Sequence, residues 1–425
     1  MIVAILLALT VMVLVIAKLN ARARATREAW SAATKDLGLA ISPGAATGIA
    51  GGALTIHGES GSHTMYVFAG LPWDMAFGGT TSLGGSVTRD FVTIGDPDFD
   101  ARVKIRGGVE DVVALLDAST RKALVEIVAR GGAAGWGKLS LRSFGLERDP
   151  DRLVETARSV MALGDHLSQQ ARKKLLLANV LGDPVAAVRA RNISVLAEKF
   201  RDSDEAKRAA GTALRDSDPA VRVLAADLER GDRSKRVLSG IVVDARIDAQ
   251  LRATAFERLV AIFGYASGKG LTAQALEQPE AALRRVAAVA AGEAQDTAQL
   301  ERLCELAREE QPALSEAVAV ALGRLGDPRA EPALIALLAR TEDGVRIAAA
   351  RALGLIGTVR AVEPLLPFTK GLLHGDLHAA ARDAVRRIQE RLGDPEAGRL
   401  SVVADSPAGA VSVADDPGKL SIVKE

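Results

Sequence analysis

The strongest constraint on this chain is a phrase that returns at near-constant spacing through its second half: an Asp or Pro, an aliphatic residue, an Arg, and then an alanine-rich run. It reads DPVAAVRA at 183–190, DPAVRVLAA at 218–226, DAQLRATA at 248–255, QPEAALRRVAAVAAG at 278–292 and DGVRIAAARALGLIG at 343–357. Arg189, Arg222, Arg252 and Arg284 follow one another at 33, 30 and 32 residues. The 62 residues from Arg284 to Arg346 leave room for one more unit, in which Glu316 takes the arginine's slot. A last copy, GDLHAAARDAVRRIQERLGD at 375–394, places Arg382 in phase after a slightly longer step. Self-similarity with a period of roughly 20–50 residues marks stacked supersecondary units, none of which buries its apolar side alone.

Each copy has the chemistry of a helix start. Pro tolerates the first helical position, where its missing N–H is not needed, and Asp caps the free amides. The chain is 48% hydrophobic but only 3% aromatic, so its apolar residues are mainly Ala, Val and Leu, which let helices approach closely. The expected fold is mainly α: an α-solenoid of helical hairpins over 183–394. These residues resemble HEAT-like repeats of the kind found in phycobilisome lyases, above all in the run DGVRIAAARALGLIG. The resemblance covers about 183–393 and implies a protein-binding habit. It carries no lyase chemistry, because the motif consists of packing residues; Arg189, Arg222, Arg252, Arg284, Arg346 and Arg382 are expected to be structural anchors.

The amino-terminal stretch MIVAILLALTVMVLVIA has Thr10 as its only polar side chain and makes a helix of roughly 25 Å, close to the minimum for crossing hydrocarbon. Lys18, Arg22, Arg24 and Arg27 follow it. By the positive-inside bias this predicts a single-pass inner (plasma) membrane protein, anchored by 1–18, with its N-terminus outside and the bulk of the chain cytoplasmic. Residues 19–36 then form a juxtamembrane linker or helix. From 37 to 148 short β-prone stretches broken by glycine alternate with helical patterns at 109–116 and 120–129, which predicts a small α+β domain with Ser119 as a helix N-cap. A connector over 149–182 contains one long helix from Asp151 to Ala178. The tail, 395–425, repeats a Gly-x-aliphatic-Ser-aliphatic-aliphatic phrase three times, as short strands or disorder.

Lys plus Arg number 54 and Asp plus Glu 53, so no overall field draws the chain to nucleic acid. A single cysteine, Cys304, excludes an internal disulfide and a Cys-rich metal site. HGDLH at 374–378 looks like the catalytic loop of aminoglycoside and choline kinases, but Ala381 stands where that family has its magnesium-holding Asn. The same segment offers His374, Asp376 and His378 at alternate positions as weak metal-ligand candidates. GYASGKG at 264–270 has the wrong spacing for a phosphate loop and predicts a flexible loop after a Gly264 helix cap. His57, His63 and Trp73 match no triad or zinc spacing, and 69–85 is the best candidate for a mobile ligand loop.

No constellation points to catalysis and no cofactor is implied. The expectation is a membrane-anchored scaffold that binds a protein partner through its solenoid. An enzyme, lyase-like or with its site in 37–145, and a nucleic-acid-binding solenoid are the alternatives; nucleic acid is disfavoured by the charge balance.

Overall fold

The computed structural model describes residues 2–38, 40–41, 48–51, 53–59, 63–79, 91–370, 375–391, 400–402 and 411–413. They fall into two compact units, Met1–Glu229 and Arg230–Glu425.

The first unit opens with one unbroken helix, α1 (Ile2–Leu37). Among the described residues no helix is long and apolar enough to cross a membrane, which overturns the expected single-pass anchor and the orientation derived from it. The physical reason lies in how α1 is used. The helix runs on through Lys18, Arg22, Arg24 and Arg27. Its second half docks on the protein, with Thr26, Ala29, Trp30 and Ala33 buried and Trp30 Nε1 donating to the Glu147 carbonyl at 2.9 Å. The segment 19–36, read as a juxtamembrane linker or helix, is helical and forms the packed second half of α1.

Next come β1 (Ala40–Ile41), β2 (Gly48–Gly51), β3 (Leu54–Glu59), β4 (His63–Ala69), β5 (Ala76–Gly78), α2 (Pro97–Arg102), β6 (Lys104–Arg106), α3 (Val109–Leu115), α4 (Ala118–Ala129), β7 (Ala133–Gly135) and β8 (Lys138–Phe144). The strands make one antiparallel sheet in the order β1-β2-β3-β4-β8-β7-β5-β6. Period-two alternation puts Leu54, Ile56, Tyr66, Phe68, Leu139 and Leu141 on one buried face. Helix α5 (Pro150–Leu167) covers that face. It comes so close that a Cβ on Gly164 would sit 2.4 Å from the Phe68 ring.

The long helix expected from 151 to 178 is two, α5 and α6 (Arg172–Gly182), because Ser168 ends the first by returning its hydroxyl to the Gly164 carbonyl at 2.8 Å. Helices α7 (Ala186–Lys199), α8 (Asp204–Ala213) and α9 (Pro219–Glu229) complete the unit. Ser119 is not the cap of α4. Asp117 is, accepting from Thr120 N at 2.7 Å, while the Ser119 hydroxyl donates to the same carboxylate.

A short helix that ends inside a protein leaves carbonyls to satisfy. At the end of α3 each finds a donor from a different helix: Asn179 Nδ2 reaches Val113 and Ala114, His166 Nε2 reaches Leu115, and Arg121 Nη1 reaches Leu116. Arg121 is 5% exposed and also bridges Asp96 at 2.8 Å and Asp183 at 2.6 Å. Burial works against its charge, but the Asp183 and Asp96 carboxylates outweigh it and hold the guanidinium protonated. This network joins the α+β part to the first helical hairpin.

The second unit is a stack of hairpins: α10 (Asp232–Val243) with α11 (Ala249–Phe263), α12 (Tyr265–Leu276) with α13 (Ala281–Glu293), α14 (Leu300–Leu306) with α15 (Pro312–Leu325), α16 (Glu331–Leu338) with α17 (Asp343–Ile356), and α18 (Val362–Leu365) with α19 (Gly375–Arg391). GYASGKG is not a loop. Gly264, at φ +76°, turns the chain in one residue and α12 starts at Tyr265, with Gly268 laid against Val260, Leu259 and Phe256.

Helices α13, α15, α17 and α19 pack flank to flank in one row. Glycine sets their spacing: a Cβ on Gly292 would lie 2.5 Å from Ala321 Cα, one on Gly323 2.8 Å from Ala352 Cβ, and one on Gly354 3.1 Å from Ala384 Cα. Beyond α19, β9 (Leu400–Val402) and β10 (Val411–Val413) form a two-stranded antiparallel pair. The third tail phrase, at 418–423, lies outside the described residues.

Candidate interaction surface

The repeat arginines share one structural position, the fourth residue of their helix. Arg189 in α7, Arg222 in α9, Arg252 in α11, Arg284 in α13 and Arg346 in α17 all sit there. In α15 that position is Ser315, and in α19 it is His378. Glu316 and Arg382, the slots read from the arginine phrase, are instead exposed one residue and four residues further on. With Ser315 and His378 the later steps become 31, 31 and 32 residues. A signal for this register exists in the sequence: the residue before the anchor is always aliphatic, Val188, Val221, Leu251, Leu283, Leu314, Val345 or Leu377.

Position explains chemistry. A side chain one turn into a helix reaches back to the carbonyls that end the helix before it. Arg189 Nη1 donates to Asp183 O at 2.9 Å, Arg252 Nε to Val242 O at 3.0 Å and Ser315 Oγ to Glu309 O at 3.1 Å. Arg346 Nε donates to Arg340 O, and His378 Nδ1 to Phe368 O at 2.8 Å. Arg121 in α4 does the same to Leu116 O from its own fourth position.

Several anchors reach onward to the next repeat as well. Arg189 grips Asp216 through two bonds of 2.8 and 2.7 Å, Arg252 meets Glu280 and Gln278, and Arg284 meets Glu309 at 2.8 Å. Arg222 is half-buried, with its Nε enclosed and without a hydrogen-bond partner.

These bonds bear on the metal reading. His378 spends Nδ1 on the Phe368 carbonyl, Asp376 is exposed in the first turn of α19, and His374 lies outside the described residues. Among the described residues no group of three or more His, Cys, Asp or Glu side chains is placed to hold a metal ion. Cys304 is half-buried, and burial pushes its thiol up, away from the reactive thiolate. His57 and His63 share a sheet face, His63 stacking at 4.9 Å on Phe144 beside Arg142. Trp73 is 77% exposed on a turn, and the candidate loop around it contains β5; its residues 80–85 lie outside those described.

Shallow clefts accompany the helices among the described residues. One of about 460 Å³ is lined by Arg189 and Asp216, which satisfy each other. A second, about 340 Å³, lies over the buried and fully bonded Arg252. The third, about 360 Å³, runs between α4 and α5 past Ser119, Glu126, Arg130, Ser159 and His166. In it the His166 ring is already committed to Leu115 O, and the Ser119 hydroxyl to Asp117.

What the second unit leaves open is a face. On α13, α15 and α17 the residues not turned into the hairpins fall on one stripe each: Arg285, Val289 and Glu293; Glu316, Val320 and Arg324; Ile347, Arg351 and Leu355. The stripes stand side by side, as the 3.0 Å bond from Arg324 to Glu293 shows. Leu355 is 48% exposed. Arg351 is exposed, with no bonded partner among the described residues.

A stack of Ala-rich hairpins whose polar anchors bond helix ends and side chains of the next repeat is a helical-repeat arrangement. The kind of repeat follows from comparison: residues 268–353 match the family model of HEAT repeats, and residues 345–370 match that of the PBS lyase HEAT-like repeat. Among solved structures, human deoxyhypusine hydroxylase in complex with glycerol is similar over 51% of this chain and 96% of its own, at 17% identity and a TM-score of 0.24. A likeness that faint carries no argument. No curated protein matches the chain.

Proposed function

We propose that this chain is a scaffold that binds a protein partner across the open face of α13, α15 and α17, without a catalytic step of its own. The observation that supports the reading is the makeup of that face. Apolar Val289, Val320 and Leu355 alternate with charged side chains of both signs over three adjacent HEAT-type helices. Protein interfaces combine apolar centres with charged surroundings in this manner, and repeat proteins accumulate contacts along successive units. Carboxylates at Glu293 and Glu316 interrupt the arginines, which disfavours a phosphate backbone as the ligand.

The test is affinity capture from the source cell with the full chain against a Val320→Glu/Leu355→Glu variant. Both positions are partly exposed, so folding is expected to survive, as circular dichroism would check. The reading predicts a partner retained by the first protein and lost, by about tenfold or more, from the second, the factor that about 1.4 kcal/mol brings. Equal capture by both folded proteins would remove it.

A further inference from the structure

We propose that the open face of α13, α15 and α17 is occupied in the free protein by the chain's own segment 395–425, so that a partner must displace it. The inference rests on the reading of that face as a binding surface and adds its resident occupant.

Three observations lead to it. First, β9 and β10 are three-residue strands paired only with each other among the described residues. Two-stranded ribbons of that size do not hold themselves in water and need a surface to lie on. Second, the reach is right. Eight residues lie between Arg391, the end of α19, and Leu400, a reach of about 30 Å when extended. The row steps from α19 back to α13 in three helix spacings of about 8–10 Å each, so every stripe of the face is accessible to β9 and β10 and no more distant surface is required.

Third, the chemistries are complementary. The segment 395–425 carries five carboxylates against three cationic side chains, and its thrice-repeated phrase is aliphatic. The face offers Val320 and Leu355 together with Arg351, which has no bonded partner among the described residues; of its carboxylates Glu293 is already paired with Arg324, and on the adjacent α19 Arg382 is likewise exposed without a partner among the described residues.

The test uses the full chain with a photo-activatable benzophenone side chain at position 411, irradiated at low concentration and mapped by mass spectrometry. The expected result is crosslinks within one chain to peptides of α15 and α17, reduced about tenfold by Arg351→Glu with Leu355→Glu, as loss of about 1.4 kcal/mol requires. Crosslinks only to other surfaces, only between chains, or insensitive to those two substitutions overturn the proposal. Val402→Asp with Val411→Asp in the otherwise natural chain gives an independent readout: partner capture rises severalfold if the segment competes for the face, and unchanged capture counts against it. If the Val320→Glu/Leu355→Glu variant loses its partner while position 411 crosslinks elsewhere, the binding face stands and its resident occupant falls.

Discussion

Replacing Gly292 by Ala tests the packing of the second unit at its tightest point. An added methyl would stand 2.5 Å from Ala321 Cα, 2.9 Å from its Cβ and 3.1 Å from its carbonyl oxygen. Unbonded carbons rest at about 3.5–4.0 Å, so α13 and α15 must part by about 1 Å. Backbone atoms cannot rotate away as a flexible side chain would. Overpacking of this kind costs about 1–3 kcal/mol, against which Ala returns about 1 kcal/mol of helix propensity over Gly.

The control is Gly240→Ala in α10 of the same unit, where nothing lies within 4 Å of the new Cβ and only the propensity gain of about 1 kcal/mol remains. The two substitutions thus move urea midpoints in opposite directions, with m unchanged in both. Gly323→Ala and Gly354→Ala, whose nearest contacts are 2.8 and 3.1 Å, should fall between them in that order. A Gly292→Ala protein stabilised as much as the Gly240→Ala control would refute the claim that glycine sets the helix spacing.

Arg121→Met leaves Asp183, whose side chain is 1% exposed, without its cation; breaking a buried pair from one side should cost about 3–5 kcal/mol in the thermal unfolding of the first unit. The chain has two tyrosines, and both are pushed up to about 12, Tyr66 by burial and then the Glu147 charge, Tyr265 by burial and by Asp296, which accepts its hydroxyl at 2.8 Å. Their folded values lie above the unfolded one, so the stability they lend is complete below about pH 10 and disappears as pH climbs towards 12; an absorbance titration with a phenolate step near 10 in folded protein would contradict this. Burial raises the Asp216 carboxyl, but the Arg189 bonds, the Asp218 amide and the Arg189 charge outweigh it and hold the group below its usual range. That contribution is present above about pH 4 and fades as pH falls through the lower folded value, so Arg189→Gln should flatten the acid limb of stability against pH.

The repeats were legible because their period is written in packing residues. An alanine-rich run after each helix start admits few other folds, and helical periodicity separately marked α3 and α4 within the glycine-rich region. The register within the repeats was harder to read. Arginine is conspicuous, so Glu316 and Arg382 drew attention, whereas the constant features are the aliphatic residue before the anchor and the need for any donor that reaches a carbonyl. Ser315 and His378 meet that need with unrelated side chains. The apolar start of α1 misled for a different reason: hydropathy along the first residues says nothing about Trp30 and Ala33, which fasten the same helix to α5 and Glu147 O. The candidate face was not legible, because Val289, Val320 and Leu355 are indistinguishable by type from their buried neighbours until the helices are stacked.

His378 shows how far the anchor reading extends. As a metal ligand it would need a free ring nitrogen and two partners converging on one point. As an anchor it needs only the Phe368 carbonyl, which it has at 2.8 Å. His378→Arg should therefore keep the bond, restoring the side chain found at the same helix position in α7, α9, α11, α13 and α17, while His378→Ala leaves a carbonyl unsatisfied and costs about 1–3 kcal/mol. Zinc or nickel at moderate excess should shift the melting of neither variant relative to its parent; a metal-dependent stabilisation lost in both would instead assign His378 to a ligand set. Where the anchors of a repeat are engaged with a helix end or with the next repeat, the proposed recognition falls to what the repeats leave exposed, and in α13, α15 and α17 that is a short apolar patch edged by Arg285, Arg324 and Arg351.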